Sequence, residues 1–306
     1  MTFCGVESPS LPTPVEPFLP LDLEREIFET AAVQDKTMIP ILLRVCHRVN
    51  NWVEPMLYRV LIIENEDNSH IAALRSKPPH FRQTMVRHVF IDFTSSAMKP
   101  VVEQLSDFYG IESLAIDGHQ KEAPSAFLDT LHPRKLSLWV ASDASQWAQS
   151  TLSRPIFSLV THLELYHAND QENTSWEHWT TLASFPALTH LSLVKSLALG
   201  ILQDALQHCQ HLEIAIIAFW DPSFVDQALD LAQDPPVSDP RLVIMMVGNI
   251  MDDWTIGTQG GNDFWRRAET FVAQKRLGKL GSSYLSLLSN AIGLITTTGS
   301  QYFLGD

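Results

Sequence analysis

The sequence predicts an α/β protein, with a small helical module at the N-terminus followed by an irregular solenoid of parallel strands and outer helices. Three observations support this fold class. A four-residue apolar alternation returns along most of the chain, and the segments between these alternations carry apolar residues at helical spacing. The N-terminal region has helical periodicity only. With 45% hydrophobic and 18% charged residues among 306, the chain can bury a large core.

Composition also limits the classes of function. The chain has 21 basic and 35 acidic residues, a formal net charge of -14, which repels phosphate backbones and disfavours nucleic acid as a partner. Its three cysteines, Cys4, Cys46 and Cys209, are far apart and odd in number. This pattern is typical of reduced thiols, so we expect a cytoplasmic or nuclear protein without a disulfide framework.

The first elements along the chain are a leader and a helical module. Residues 1–17 contain several prolines and are expected to form a flexible leader, and residues 18–60 are expected to form three short helices. Pro20 suits a first helical position, and Leu23, Ile27 and Ala31 recur on one helical face. Pro55 opens a short final turn. So small a module encloses little apolar area, and we expect part of it to be covered.

Three short motifs in this module resemble an F-box: Leu19-Pro20-Leu21-Asp22-Leu23 with Ile27-Phe28, Leu43-Arg44-Val45-Cys46-His47-Arg48, and Glu54-Pro55-Met56-Leu57-Tyr58. The chain to about Arg276 is similar to fungal F-box-like proteins with degenerate leucine-rich repeats. The resemblance implies that the module binds a Skp-type adaptor of a cullin–RING ubiquitin ligase. The adaptor-binding residues would include Leu19, Pro20, Leu23, Ile27, Leu42, Val45 and Leu57. Alternatively the module is only a helical cap, with Leu19, Leu23, Ile27 and Phe28 packed inward.

A repeat dominates residues 61–250. The first apolar residues of its successive strands stand at 61, 89, 114, 136, 163, 191, 212 and 242, at intervals of 21 to 30 residues. These intervals resemble those of leucine-rich repeats, about 20–29 residues. We therefore expect a leucine-rich-repeat-like solenoid whose strands stack at about 4.8 Å, with an uneven arc. A compact α/β domain is the alternative.

The C-terminal elements are a capping segment and a tail. Residues 251–277 are expected to close the open apolar end of the solenoid, through a helix that Asp263 caps and that carries Phe264, Trp265, Ala268, Phe271 and Val272. Residues 278–306 form a tail of uncertain order. Its uncharged stretch is interrupted by serine, asparagine and threonine, which makes a membrane anchor unlikely to form.

A histidine column is the strongest candidate site in the repeats. If the leucines point inward, His162, His190 and His211 share one solvent-facing column, and Glu164, Ser192 and Glu213 share the next. We interpret His162, Glu164, His190, His211 and Glu213 as a tentative partner-binding surface. Trp220 at a strand exit is a further anchor candidate, with burial as the alternative. A metal ion shared by the histidines is not expected, because the sequence identifies no supporting residues around them.

No motif for catalysis is found. The sequence contains no GxSxG, HExxH, EF-hand or GxGxxG pattern, so we expect a non-enzyme without cofactors. The predicted function is a substrate-recognition subunit that links an unknown protein substrate to a Skp–cullin–RING ubiquitin ligase. The alternative is a non-catalytic leucine-rich-repeat scaffold that binds protein partners but no adaptor.

Overall fold

The computed structural model describes residues 19–64, 69–92, 108–117, 126–141, 143–167 and 174–280. The chain divides into two compact units, Met1–Leu57 and Tyr58–Asp306. The expected leader, most of the expected tail and the helical pattern at Val101, Val102 and Leu105 lie outside the described residues. The two units are described in turn.

The N-terminal unit is helical, as predicted. Its helices are α1 (Leu21–Gln34), α2 (Ile39–Leu42) and α3 (His47–Val53), with 3-10 turns at Lys36–Met38 and Glu54–Leu57. The Asp35 carboxylate accepts a hydrogen bond from the Thr37 backbone N–H at 2.9 Å and so starts the turn after α1. The core of this unit consists of Ala32, Ile39, Leu42, Val49 and Val53, with Phe28 and Trp52 packed against it.

The second unit is built on one eight-stranded sheet. Its strands are β1 (Val60–Ile63), β2 (His88–Asp92), β3 (Ser113–Asp117), β4 (Lys135–Val140), β5 (His162–His167), β6 (His190–Val194), β7 (Ile214–Phe219) and β8 (Leu242–Met246). All neighbouring strands are parallel and follow one another in chain order. The α/β class and the parallel strands of the prediction are therefore confirmed.

The strand register agrees with the sequence repeat at seven of its eight positions. Leu61, Val89, Leu114, Leu136, Leu163 and Leu191 pair in one continuous row. The row continues through Ala215 and Leu242, so the expected alignment at Leu212 is wrong by three residues. Leu212 instead closes a turn, in which its N–H donates to the Cys209 carbonyl at 3.1 Å.

Within the described residues, the connections between strands contain α4 (Ser69–Arg75), α5 (Pro79–Met85), α6 (Ala144–Thr151), α7 (Lys195–His208) and α8 (Val225–Gln233), with 3-10 turns at Ala126–Thr130, Pro155–Phe157, Trp176–His178, Thr180–Ser184 and Pro222–Phe224. Crossover connections between parallel strands are right-handed, and each successive strand of this sheet is added at the same edge. The connections therefore lie against one face, the face of the Leu163 and Leu191 row. We call this the first face and the opposite one the second face.

Two C-terminal helices follow the sheet, α9 (Ile250–Thr258) and α10 (Phe264–Arg276). The Asp263 carboxylate caps α10 as predicted, accepting from the Arg266 N–H at 3.0 Å. The sequence predicts that residues 251–277 close the end of the repeat array. In the structure, side chains of α9 and α10 contact the second face, where Trp254 meets β2 and β3 and Trp265 meets β5 and β6. Over the described ranges, no helix combines the length and the apolar character that a membrane crossing requires.

Candidate functional site

Exposed apolar side chains on the N-terminal unit form the first candidate site. Leu23 and Ile27 are 48% and 54% exposed, and they lie four residues apart on one side of α1. Leu19 just before α1 and Val45 just before α3 are also exposed. We call these four residues the exposed apolar set. Large apolar side chains gathered on so small a unit are typical of an interaction surface.

The seven residues predicted to bind an adaptor are divided by the structure. Leu19, Pro20, Leu23, Ile27 and Val45 are exposed. Leu42 is buried in the core of the unit, and Leu57 packs against that core. The placement of Leu42 on a binding surface is therefore corrected: Ile39 and Leu42 lie three residues apart on the inward side of the short α2, and Ile41 takes the outward position.

The second candidate site is on the second face of the sheet. Its register aligns His88, Ser113, Lys135, His162 and His190 in one row, which we call the histidine row. The next row contains Ala115, Ser137, Glu164 and Ser192. The sequence therefore predicts the neighbourhood of His162, Glu164 and His190 correctly. It fails for His211 and Glu213, which precede β7 and are exposed, because Ile214 pairs with His190.

The histidine row is covered rather than solvent-facing. His190 is only 6% exposed and Glu164 is 3% exposed. The Trp265 ring of α10 contacts the imidazoles of His162 and His190 edge-on, at centroid distances of 5.1 and 5.9 Å. At the other end of the row, the Trp254 indole N–H donates to Ser113 Oγ at 3.1 Å. The expectation of a solvent-facing column is therefore wrong, because α9 and α10 cover the row. Both helices lie more than 50 residues away from these strands in the sequence.

Buried charges hold the start of α10 in place. Asp253 Oδ2 accepts from the Phe264 backbone N–H at 2.8 Å, and Asp253 Oδ1 accepts from Arg267 Nη1 at 2.8 Å. Burial raises the pKa of Asp253, although Arg267 acts in the opposite direction. Asp263 forms an ion pair with Lys135 of the histidine row at 3.3 Å. A Cβ atom at Gly257 would collide with the Asp263 carboxylate, so glycine is required where α9 passes this point.

Glu164 lies at the base of a small cavity between the second face and the C-terminal helices. Ser137 Oγ donates to Glu164 Oε2 at 2.8 Å. Removal from water raises the pKa of Glu164 to about 8, so this carboxyl group is mainly protonated at neutral pH. The cavity has a volume of about 60 Å³, sufficient for a few water molecules.

Trp220 belongs to this covered region. Its ring contacts Tyr166 of β5 at 5.8 Å and Phe264 of α10 at 5.5 Å, both in edge-to-face geometry. The side chain is half-buried and lines the cavity. Of the two expectations for Trp220, packing within the fold describes it better than an exposed anchor. Trp179 is fully buried.

His162 and His190 form the most unusual group of the site. Their rings are stacked, with centroids 4.0 Å apart and planes inclined by 9°. The Nε2 atoms of both rings approach Glu269 Oε1 of α10, at 4.0 and 3.4 Å. Burial lowers the pKa of His190 to about 4 and that of His162 further, so both imidazoles are neutral at physiological pH. Glu269 has no sequence signal that connects it to the histidines, and sequence reasoning missed it.

No protein-family model matches the chain. No curated protein matches it either. Function is therefore argued from the chemistry of the two sites.

Proposed function

We propose that this protein is a non-catalytic substrate-recognition subunit of a Skp–cullin–RING ubiquitin ligase. The N-terminal unit binds a Skp-type adaptor, and the second unit binds a protein substrate. The exposed apolar set is the observation that carries this proposal.

The exposed apolar set supports docking because its members are not needed for the core of the unit. Ala32, Ile39, Leu42, Val49 and Val53 form that core without them. If the unit were only a cap, Leu19, Leu23 and Ile27 would be expected to pack inward, yet each is at least 40% exposed. Burying apolar side chains of this size beneath a partner helix releases about 1.5–3 kcal/mol each when burial is complete. These four side chains are about half exposed, so covering them contributes part of that amount and offsets part of the free-energy cost of association.

The second unit supports substrate recognition through its strand order. A parallel sheet whose strands follow the chain one by one is the arrangement expected of stacked repeats. We propose that these strands are the units of a leucine-rich-repeat-like solenoid. The second face is covered by α9 and α10, so we propose that the substrate contacts exposed positions beside the sheet, including His211 and Glu213.

The proposal is tested by recovery of a Skp-type adaptor with the full chain. The double variant Leu23→Asp, Ile27→Asp places two charges on the surface of α1 without entering the core. We expect the adaptor to co-purify with the wild type and to be lost from the double variant. A matched control is Leu159→Asp, which makes the same kind of change in the second unit at a residue that is also 54% exposed.

The outcomes separate the two candidate functions. Loss of adaptor from the double variant, with full recovery by Leu159→Asp, supports the docking role. Equal recovery from the wild type and the double variant overturns it. If even the wild type recovers no adaptor, the chain is better described as a repeat scaffold whose helical unit has another partner. Unchanged circular dichroism of the double variant excludes unfolding as the cause of a loss.

A further inference from the structure

Three metal-ligand atoms converge where α10 crosses β5 and β6. His162 Nε2, His190 Nε2 and Glu269 Oε1 lie within 4.8 Å of one another. The distance from Glu269 Oε1 is 3.4 Å to His190 and 4.0 Å to His162. Two imidazoles and one carboxylate are a ligand set that suits zinc and related divalent transition metals.

The threonine that precedes each histidine offers its ring a hydrogen-bond partner. Thr189 Oγ1 lies 2.8 Å from His190 Nδ1 and 3.2 Å from the Thr161 carbonyl oxygen. A hydroxyl has one hydrogen and the carbonyl can only accept, so one tautomer satisfies both contacts: the hydroxyl donates to the carbonyl and accepts from His190 Nδ1–H. In this tautomer His190 Nε2 carries a lone pair, which is the form that binds a metal ion.

The same arrangement is repeated one strand earlier. Thr161 Oγ1 lies 3.0 Å from the Arg134 carbonyl oxygen and 2.9 Å from His162 Nδ1. His162 is thus held in the same tautomer, with a lone pair on Nε2. Metal-binding histidines characteristically donate their second ring N–H to a fixed acceptor, which orients the ring and sets the tautomer. The repeated threonine-histidine pair provides this support for both rings.

Without a cation, this geometry is unfavourable. Two nitrogen lone pairs face a carboxylate oxygen, and His190 Nε2 is buried without a hydrogen-bond partner among the described residues. A buried acceptor that lacks a partner costs about 1–3 kcal/mol.

We propose that His162, His190 and Glu269 bind a divalent transition-metal ion of the zinc type, which fastens α10 to β5 and β6. Ligand atoms around tetrahedral zinc are separated by about 3.3 Å, given metal–ligand bonds of about 2.0 Å. The His190–Glu269 distance already matches. His162 approaches Glu269 by a further 0.7 Å or so, and the stacked rings splay until each lone pair points at the ion.

Neighbouring charges are compatible with such an ion. Lys135 is the nearest cation of the histidine row, and its charge is balanced by Asp263 at 3.3 Å. Glu269 contributes the negative charge within the ligand set. Its side chain is 47% exposed, which gives solvent access for entry of the ion and for water as a fourth ligand. Trp265, one helical turn before Glu269, packs edge-on against both rings.

Metal binding is tested on the full chain after treatment with a chelator and dialysis. We expect calorimetric titration with Zn²⁺ to give one equivalent of bound ion and a rise in melting temperature. Co²⁺ as a spectroscopic probe should give the visible absorption bands of a four-coordinate complex with nitrogen and oxygen ligands. Mg²⁺ should bind far more weakly, since it disfavours imidazole.

Four variants distinguish this site from adventitious binding. Glu269→Gln removes the charged ligand at a half-exposed position, and we expect it to weaken Zn²⁺ binding at least about 100-fold. Thr189→Val removes only the acceptor for His190 Nδ1–H, and we expect a loss of about 10–100-fold. The matched controls His211→Gln and Glu213→Gln change the same residue types at exposed positions and should bind as the wild type does.

Two results overturn the proposal. One is the absence of Zn²⁺ binding to the wild type at micromolar concentration. The other is equal binding by the wild type and Glu269→Gln, which would locate the ion elsewhere. Because adaptor recovery depends on the N-terminal unit alone, failure of this test leaves the proposed function untouched, and the reverse also holds.

Discussion

The two units of this protein depart from the usual distribution of polar and apolar residues in opposite directions. The N-terminal unit leaves Leu19, Leu23 and Ile27 on its surface, where apolar side chains gain nothing from folding. The second unit encloses His190 and Glu164 beneath its own helices, where polar side chains lose their hydration. Both arrangements are costly for the isolated unit.

The difference indicates how each unit obtains a compensating interaction. Exposed apolar residues gain free energy only when a second molecule covers them. Buried polar residues can be compensated within the chain, as Asp253 is by Arg267 and by the Phe264 N–H. The proposed partner of the N-terminal unit would cover its exposed apolar set, whereas the second face of the sheet is already covered by α9 and α10. A buried ion pair of the second unit should therefore contribute more to the free energy of unfolding than an exposed ion pair of the N-terminal unit.

The largest expected effect is at Asp253. The Asp253→Ala variant leaves the Arg267 guanidinium and the buried Phe264 N–H without their acceptor. Removing one member of a buried pair is destabilising by about 3–5 kcal/mol, and the partial exposure of Arg267 favours the lower end of that range. Urea denaturation of the full chain, followed by tryptophan fluorescence, measures this loss.

Asp252→Ala is the control for that experiment. Asp252 is exposed on the same helix turn, and its removal should change the free energy of unfolding by no more than about 0.5 kcal/mol. Equal urea midpoints for the two variants would show that the contacts of Asp253 contribute little to holding α10.

Substitution of His88 is expected to raise the free energy of unfolding, by less than the Asp253 substitution lowers it. This histidine begins the row on the second face, and both of its ring nitrogens are buried without a hydrogen-bond partner among the described residues. His88→Leu replaces it with an apolar side chain of similar volume. We expect the variant to be more stable than the wild type by about 1–3 kcal/mol at neutral pH.

The pH dependence at His88 gives an independent check. Burial lowers the pKa of His88 to about 4, from an ordinary value near 6.5 in the unfolded chain. The unfolded state thus binds more protons between these values, and the wild type loses stability as the pH falls from 6.5 to 4, by at most about 1.4 kcal/mol per pH unit. His88→Leu should lack this component. The exposed control His80→Leu should retain the acid dependence of the wild type.

Local patterns in the sequence predict much of the fold. Period-two alternation aligns seven of the eight strands, and the leucine row at 163 and 191 aligns as expected. The error at Leu212 arises because His-Leu-Glu-Ile imitates the start of a strand within a turn. Every residue of β7 is apolar and buried, so its sequence has no polar–apolar alternation that would fix the strand register. Moving the predicted pairing by three residues therefore still places apolar residues in the strand.

The contacts of the C-terminal helices could not be predicted in the same way. Trp254 bonds to Ser113 across 141 residues of chain, and Lys135 pairs with Asp263 across 128. No local periodicity encodes such separations. The broad apolar stripe of α10 does predict burial. The partner of that stripe, and hence the meeting of Glu269 with His162 and His190, depends on tertiary packing.

The smallest expected loss of stability follows from breaking the exposed ion pair of the N-terminal unit. Comparing it with Asp253→Ala tests whether the buried ion pair contributes more. Arg48 Nη2 of α3 donates to both carboxylate oxygens of Glu24 on α1 at 2.7 Å, and both side chains are in contact with solvent. Exposed pairs contribute about 0–1 kcal/mol, because water screens the charges and two long side chains lose freedom. Glu24→Gln should therefore raise hydrogen exchange in α1 and α3 only slightly, and added salt should reduce the difference from the wild type further. A loss as large as that of Asp253→Ala would mean that this pair, rather than the apolar core around Val49, holds the N-terminal unit together.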